Sequence, residues 1–590
     1  GQRPEDHKLQ RAGLVCVGDS LFEDNNVGIY NKQGGFHVYR SLFRGSKETD
    51  VKVSNKMFFA LRGNYSINSK RFLVSEGPSG NPSGFNLQGN VILDTEQPDA
   101  IRINDAGPLL LLDNIIRSKA DHTEPVVFQS DFGPGAVTAI GNTFTVLQPW
   151  RVDDRSKFTE IDTVITDRAN VNPPELILPG FWVNQDSLLI EVPLNADHKQ
   201  IQDALNQAAE SEEQRRPIVH LPEGDYTIGE TLVIPADSDV QLVGDGLFRT
   251  KLNWSGEVSA PIVRIIGPSR ATMRDLMISG TNATDAVVME GVNQTNAHIV
   301  ADQIFLSGKT GLVVNGLDNA VVDVRTYYAG SIRSGQAALR VVGGPRLARG
   351  DTAAPGAVHI FSGATSNNDL NLEVMNGARV TYTDVWFEGQ GDEAMVRVTG
   401  GSEVTINGGN YAVSDGPSRC YALYDADFVG RLSLINTRSE AKFFAPASLS
   451  ADARVLVMNG LTVQSCTVES CGLGQYLNQA PPGRAFFMHN LAMGGNISGY
   501  VAPVDDSGVA DDAALRLFYA QLRERSLPEL DAPTEALEQT DVRFYRVSLQ
   551  AGENGVHLIG GVEQPIDGMP RVYLPIVSRS MTRAGMQTCP

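Results

Sequence analysis

The chain has 590 residues, a formal net charge of -20 and 42% apolar residues, which is typical of a folded protein and argues against disorder or a collagen-like chain. The negative charge and the lack of a Lys/Arg-rich run disfavour a nucleic-acid partner. No apolar stretch approaches the roughly 20 residues of a membrane-spanning helix, so we predict no membrane span.

Short apolar strands that end in a small polar step recur through the first part of the chain, about two dozen residues apart. Four steps carry Asn at the same place: Gly63-Asn64-Tyr65, Gly89-Asn90-Val91, Asp113-Asn114-Ile115 and Gly141-Asn142-Thr143. Ser20 and Ser41 take that place in two upstream repeats. Stacked Asn side chains can hydrogen-bond along the axis of a β-solenoid, whereas a β-propeller repeat is longer. Residues 1–149 are therefore predicted to form a β-solenoid with one repeat per coil.

A Pro- and Asp-containing stretch, residues 150–192, interrupts this pattern and is interpreted as a connection. An amphipathic helix follows Asp197 and can cover the open end of a second solenoid, residues 193–500. The apolar face of the helix consists of Ile201, Leu205 and Ala208.

The last segment, residues 501–590, has a different pattern. A helical stripe follows the N-cap candidate Asp511 and consists of Leu515, Phe518, Tyr519 and Leu522. Strand-like alternation returns after Pro528. The predicted fold class is thus all-β: two tandem right-handed parallel β-helices with a small α+β C-terminal segment.

The start of the second solenoid carries a family resemblance. After the predicted helix, the sequence reads VHLPEGDYTIGETLVIP and then QLVGDG, between Val219 and Gly246. This order resembles the entry of right-handed β-helices of the pectate-lyase superfamily, and it is more specific for fold than for substrate. With a solenoid before it, the chain also resembles the twin β-helices of family 55 glycoside hydrolases, the exo-β-1,3-glucanases, across about four fifths of its length. No capping helix precedes the first coils, which leaves open that N-terminal coils are missing, and no family residue is carried over from that segment.

Turn glycines align four strand ends of the second solenoid: Met277-Ile278-Ser279-Gly280, Phe305-Leu306-Ser307-Gly308, Tyr327-Tyr328-Ala329-Gly330 and Trp386-Phe387-Glu388-Gly389. Strand alternation then separates two faces. The predicted inward set is Leu276, Ile278, Ile304, Leu306, Thr326, Tyr328, Val385 and Phe387. The predicted outward row is Met277, Phe305, Tyr327 and Trp386, and the flat rings of its three aromatic residues would stack on sugars. The alternative is that this row packs under a loop or against the other solenoid.

Glu388 is the leading catalytic candidate, because its equivalents in the repeat are Ser279, Ser307 and Ala329. Burial beside Trp386 would raise its pKa and suit it to act as a general acid at a glycosidic oxygen. The alternative is a salt bridge or a turn hydrogen bond. Asp384 and Asp392 are candidates for the second carboxylate, which activates water in an inverting mechanism.

No metal or other cofactor is predicted, since the histidines are scattered and the cysteines lack zinc-ligand spacing. Cys16 lies in an apolar alternation typical of a buried thiol, and Cys466 and Cys471 are close enough in sequence for a local disulfide. Residues Gly1 to Ala12 lack the regions of a signal peptide, so we expect any such peptide to have been removed.

Together these features favour a secreted glycoside hydrolase, extracellular or at the cell surface, that cleaves a β-glucan-like polysaccharide. One alternative is a non-catalytic adhesin, spike or matrix protein that binds glycans or protein partners. A further alternative is a polysaccharide lyase, although no compact cluster of Ca²⁺-binding carboxylates with a nearby Arg or Lys stands out. A homo-oligomer or a larger assembly also stays open.

Overall fold

The computed structural model describes residues 14–18, 20–31, 34–54, 56–76, 85–104, 109–130, 137–152, 158–161, 163–173, 176, 188–211, 216–257, 259–281, 283–292, 297–330, 332, 336–389, 395–413, 420–424, 428–435, 437–439, 442–444, 454–458, 461–462, 486–489, 491–493, 497–499, 549–552 and 555–558. Within them the chain is mostly β-strand and forms tandem right-handed parallel β-helices, as predicted. The predicted helix after Asp511, Cys466 and Cys471 lie outside the described residues.

The first solenoid is built from three parallel sheets, to which successive coils contribute one strand each. Its strands are β1 (Leu14–Gly18), β2 (Leu21–Glu23), β3 (Val27–Asn31), β4 (Gly34–Tyr39), β5 (Leu42–Arg44), β6 (Thr49–Ser54), β7 (Lys56–Arg62), β8 (Tyr65–Ile67), β9 (Leu73–Glu76), β10 (Phe85–Gln88), β11 (Val91–Leu93), β12 (Ile101–Asn104), β13 (Leu109–Leu112), β14 (Ile115–Arg117), β15 (Val127–Ser130), β16 (Val137–Ile140), β17 (Thr143–Phe144), β18 (Trp150–Val152), β19 (Phe158–Ile161) and β20 (Val164–Ile165). The coils therefore continue past residue 149, where the sequence pattern placed the domain boundary, and a short 3-10 helix follows at Arg168–Asn170.

The predicted asparagine ladder is confirmed. Asn64 Nδ2 donates to Asn90 Oδ1 at 3.0 Å, and Asn90 and Asn114 donate in the same way to the next Asn at 2.9 Å. Each of these side chains also donates to a main-chain carbonyl of its own solenoid. Ser41 N donates to Asn64 Oδ1 at 3.0 Å, so the serine position continues the same line. The ladder satisfies buried polar groups at a point where the backbone turns.

The predicted capping helix is also present, as α1 (His198–Ala209). Asp197 Oδ1 accepts from Gln200 N at 2.9 Å and Gln200 Oε1 accepts from Asp197 N, which is a complete capping box. The buried face consists of Ile201, Ala204, Leu205 and Ala208. It covers the hydrophobic end of the second solenoid that would otherwise meet water.

The second solenoid has two sheets, a long sheet of 18 strands and a second sheet of nine strands. The long-sheet strands are β21 (Leu189–Glu191), β22 (Ile218–Leu221), β23 (Gly224–Ile228), β25 (Gln241–Gly244), β26 (Thr250–Trp254), β28 (Thr272–Ser279), β30 (His298–Ser307), β32 (Val321–Gly330), β34 (Ala357–Asn368), β36 (Arg379–Gly389), β38 (Glu403–Val413), β40 (Arg431–Ile435), β41 (Arg438–Ser439), β43 (Arg454–Met458), β44 (Leu461–Thr462), β45 (Phe486–His489), β46 (Leu491–Met493) and β47 (Ile497–Gly499). The second sheet contains β24 (Leu232–Ile234), β27 (Val263–Ile266), β29 (Val287–Glu290), β31 (Leu312–Leu317), β33 (Ala337–Gly343), β35 (Leu370–Met375), β37 (Val396–Val398), β39 (Cys420–Tyr424) and β42 (Lys442–Phe444). A one-turn helix, α2 (Pro345–Ala348), follows β33, and a hairpin of β48 (Leu549–Gly552) and β49 (Gly555–Leu558) ends the described chain.

Five successive strands of the long sheet, β28, β30, β32, β34 and β36, each bend at one residue that has a left-handed backbone conformation. We call this bend the corner. The corner residues are Asp275, Gln303, Thr326, Ser362 and Asp384, with φ between 49° and 63°. They coincide with the breaks in the strand pairing, so the bend recurs from coil to coil. Such φ values are uncommon for residues other than Gly, although Asp and Asn tolerate them best. The stacking of the coils therefore holds these residues in a conformation that most of them would not prefer by themselves.

The two solenoids pack side by side through outward side chains of β4, β7 and β10 and the corner region of β34, β36 and β38. The contacts are His37 Nδ1 with Ser362 Oγ (2.9 Å), the rings of Tyr39 and Phe361 (centroids 4.9 Å), Asn86 Nδ2 with Asn407 Oδ1 (3.2 Å), and an ion pair of Arg62 with Asp384. We call this region the contact face. Strands β28, β30 and β32 precede it along the solenoid axis.

Candidate functional site

The backbone register corrects one part of the predicted outward row. Met277 pairs with Phe305, Phe305 pairs with Tyr328, and Ala364 links Tyr328 to Trp386. Tyr327 instead pairs with Ile304, is fully buried in the core, and donates its hydroxyl to Ala338 O at 2.5 Å.

The outward orientation predicted for Tyr327, and the inward one predicted for Tyr328 and Thr326, are therefore wrong. The cause is the alignment of Gly330 with Gly308: Leu306 pairs with Ala329, so Gly330 corresponds to Ser307 and the alignment is one residue out of step. Aligning on the corner residues gives the correct order, because the bend resets the alternation of side chains. Thr326 is itself a corner residue, and Tyr328 is half-buried on the outward row.

Of the three carboxylates chosen from the sequence, only Asp384 has a described side chain. Asp392 lies outside the described residues, and of Glu388 only the backbone is described, in β36 opposite Ala412. Trp386 is 4% exposed and belongs to neither hydrophobic core, so it packs on the outer side of the sheet. Its burial agrees with the packed alternative and leaves no open platform at that residue.

Asp384 has a structural partner. Arg62 Nε donates to Asp384 Oδ2 at 2.6 Å, and Arg62 Nη2 donates to Oδ1 at 2.8 Å. The carboxylate side chain is only 2% exposed, and Arg62 also donates to Gln88. A bidentate, buried ion pair is strong and geometrically specific. It joins the two solenoids and occupies both oxygens of the carboxylate that sequence reasoning assigned to water activation.

A different carboxylate pair lies on the outward side of β28 and β30. Burial raises the pKa of the half-buried Asp302 carboxyl above its usual value; the negative charge of Asp275 raises it further, against opposing effects of Arg325 and Arg274. Burial also raises the pKa of Asp275. Asp302 forms no ion pair within 4.0 Å among the described residues, although it lies between two arginines in the register. Two coupled carboxylates with raised pKa are typical of acid/base sites.

The outward side chains of β28, β30 and β32 around this pair are charged, and we call them the charged face. Arg274, Asp302 and Arg325 stand side by side on successive strands. Asp323 accepts a hydrogen bond from His298 Nε2 at 2.6 Å. Burial raises the pKa of Asp323, but this hydrogen bond and the neighbouring positive charges lower it by more, so the net shift of the pKa is downward. Burial lowers the pKa of His359, the register neighbour of Asp323.

Aromatic side chains adjoin the charged face just beyond the corner. Phe305 is half-buried, and its ring lies 5.8 Å from that of Phe248, which is 61% exposed. Met277 flanks Phe305 in the register, and Ser307 Oγ donates to Ser279 Oγ at 3.1 Å in the next outward row. Rings beside hydroxyls present both apolar and polar groups to a ligand. Phe305 and Met277, predicted from the sequence, thus lie beside Asp302, which was not predicted.

Sequence reasoning missed Asp302, Asp275 and the two arginines, although a signal exists. Each strand reads as an apolar alternation interrupted at the same place by charged or polar pairs: Arg274-Asp275, Asp302-Gln303 and Arg325-Thr326. The interruption marks the corner. Without the register, these pairs read as ordinary surface residues.

Two features are absent from the described part of the chain. No group of three or more His, Cys, Asp or Glu side chains is placed to hold a metal ion there. Among the same residues, no helix has the length and apolar character needed to cross a membrane.

The sequence matches no protein-family profile, and no curated protein matches it. Solved structures that are similar to this structure include "ORF18" of Geobacillus virus E2, with 11% identity, coverage of 46% of this chain and 59% of that chain, and a TM-score of 0.29. Another is an alginate lyase from Paenibacillus sp. str. FPU-7, with 10% identity, 46% and 98% coverage, and a TM-score of 0.32. A third is sacteLam55A from Streptomyces sp. SirexAA-E in complex with glucose, with 10% identity, 76% and 88% coverage, and a TM-score of 0.27. Likenesses this low carry no argument about activity or substrate.

Proposed function

We propose that the protein is a polysaccharide-active glycoside hydrolase and that Asp302 is its general acid. The observation that carries this proposal is a half-buried carboxyl group with a raised pKa and no ion pair, next to the exposed Phe248–Phe305 pair. A carboxyl group with a raised pKa holds its proton to a higher pH and can donate it to a glycosidic oxygen, while the neighbouring rings stack on the sugar.

Asp275 is the proposed second carboxylate. The register partner of Asp302 is Arg274, so Asp275 lies one strand and one residue away. With a strand spacing of about 4.8 Å, this offset places both carboxyl groups within reach of one glycosidic bond. Their mutual repulsion favours a state in which one is protonated and the other is charged. The charged group then activates water or stabilises the developing positive charge on the sugar.

The test is reducing-end release from a panel of β-glucans and uronic-acid polymers by wild type and three variants. Asp302→Asn should lower kcat by about 10²–10⁴-fold, the usual contribution of a general acid, with thermal unfolding unchanged. The matched control is Asp203→Asn on the exposed side of α1, which should retain full activity. Glu388→Gln tests the acid predicted from the sequence.

Each alternative has its own signature in this experiment. An inactive Glu388→Gln with an active Asp302→Asn would move the general acid to Glu388. Products that absorb as unsaturated sugars would identify a polysaccharide lyase. Glycan binding without turnover, equal in all variants, would identify a non-catalytic binding protein and end the proposal.

A further inference from the structure

Three cationic side chains surround the Phe248–Phe305 pair and the acid. Lys251 precedes Met277 in the outward aromatic row, while Arg274 and Arg325 flank Asp302 across the corner. Two of the three have a carboxylate nearby: Lys251 Nζ lies 3.4 Å from Asp225 Oδ1, and Arg274 Nε lies 3.9 Å from Asp275 Oδ2. The third does not.

Arg325 is exposed, and no carboxylate of the described residues lies within 4.0 Å of its guanidinium. Its two nearest acidic neighbours have other roles. Asp323 accepts a hydrogen bond from His298 at 2.6 Å, and Asp302 is the general acid of the proposed mechanism. An exposed guanidinium without an ion pair is therefore open to a ligand, in a chain whose formal net charge is -20.

We propose that the polysaccharide bound at this site carries anionic groups, carboxylate or sulfate, and that Arg325 is the specificity-determining residue that binds them. This inference rests on the proposed function. A guanidinium presents a planar pair of donors that matches the two oxygens of a carboxylate or sulfate group. Ring stacking on Phe305 would set the position of the sugar, and Arg325 would select its charge.

The test keeps the polymer backbone constant and changes only its charge. Neutral β-1,3-glucan, its carboxymethyl derivative and its sulfated derivative are compared as substrates and as ligands in affinity electrophoresis. A natural polyuronate and a natural sulfated glycan then distinguish the two sources of anion. Wild type should have a KM at least about 10-fold lower for an anionic form than for the neutral form, and this advantage should shrink as salt rises.

Arg325→Gln should raise the KM for the anionic forms to that for the neutral form, and Arg325→Lys should recover part of the difference, since a lysine keeps the charge without the planar pair. The matched control is Arg264→Gln on the other sheet, where Arg264 pairs with Glu290 at 3.7 Å. Equal KM values for neutral and anionic glucan, unchanged by Arg325→Gln, would overturn the inference while the hydrolase proposal stands. Absence of hydrolysis on every polymer would instead contradict the proposed function, and the electrophoresis arm would still measure charge selectivity.

Discussion

Two corner residues of the long sheet are aspartates, Asp384 on the contact face and Asp275 on the charged face. Their surroundings differ. On the contact face, both oxygens of Asp384 bind Arg62, and the carboxylate is buried. On the charged face, Asp275 is half-buried and its nearest cation lies 3.9 Å away. The backbone has the same left-handed conformation at both residues. The facing surface, and not the local backbone, separates a buried, ion-paired carboxylate from a half-buried one.

Asp50 extends this comparison to the first solenoid. It is fully buried, accepts from Ser66 Oγ at 2.5 Å, and forms no ion pair among the described residues. Burial raises its pKa to about 7, against the lowering effect of hydrogen bonds from serines. Burial with a guanidinium and burial with hydroxyls are thus two different solutions to the cost of a buried carboxyl group.

The largest expected effect concerns the Arg62–Asp384 ion pair. Arg62→Met leaves a buried carboxylate without its partner and should lower the free energy of unfolding by about 3–5 kcal/mol, measured by urea denaturation. The control is Arg44→Met, which breaks an exposed pair with Glu23 and should cost about 1 kcal/mol or less. Similar losses in both variants would show that the contact face contributes no more than an ordinary surface pair.

A slightly smaller effect is expected from the pH dependence of Asp50. Its pKa is raised from 3.8 in the unfolded chain to about 7 in the folded one, so the protonated form stabilises the fold fully below about pH 4. This contribution is lost as pH rises through 7, and its full size is up to about 4 kcal/mol. Asp50→Asn should therefore flatten stability between pH 4 and pH 8, as followed by thermal unfolding. An unchanged pH profile in this variant would refute the assignment.

The asparagine ladder should contribute about 2–3 kcal/mol at one of its central positions. Asn90→Ala removes two donated and two accepted hydrogen bonds, so that the main-chain N–H of Asn64 loses its acceptor. Asn253→Ala serves as control, since Asn253 is half-exposed and bonds Asp225 at 3.2 Å. Equal stability of the two variants in denaturant titrations would mean that the ladder adds nothing beyond packing.

The smallest expected effect concerns the aromatic pair on the charged face. Phe248→Ala removes a largely exposed ring, so thermal unfolding should not change, whereas glycan affinity should fall by about 1 kcal/mol, or several-fold. Isothermal titration with the best oligosaccharide substrate measures this. Tyr30→Ala, an exposed ring on the first solenoid, is the comparison. Loss of affinity in Tyr30→Ala but not in Phe248→Ala would place the glycan on the other solenoid.

Much of the architecture was predictable because its signals are local or repeat from one coil to the next. The Asn spacing predicted a ladder, and the stripe of Ile201, Leu205 and Ala208 predicted the cap of the second solenoid. Met277 and Phe305 were correctly placed on the outward row. The site was predicted less well, since Tyr327 was one residue out of register and Asp302 was not recognised.

The sequence by itself determined the solenoid, its polar ladder and its capping helix, because hydrophobic period and side-chain stacking depend on neighbours one coil away. Tertiary structure alone decided two things. The left-handed corner reset the alternation of side chains, which turned Tyr327 inward and aligned Asp302 between two arginines. Packing of a strand more than three hundred residues away brought Arg62 to Asp384 and left Asp275 and Asp302 without such a partner. The residue pattern along one strand cannot predict which side chains of the other solenoid will contact that strand.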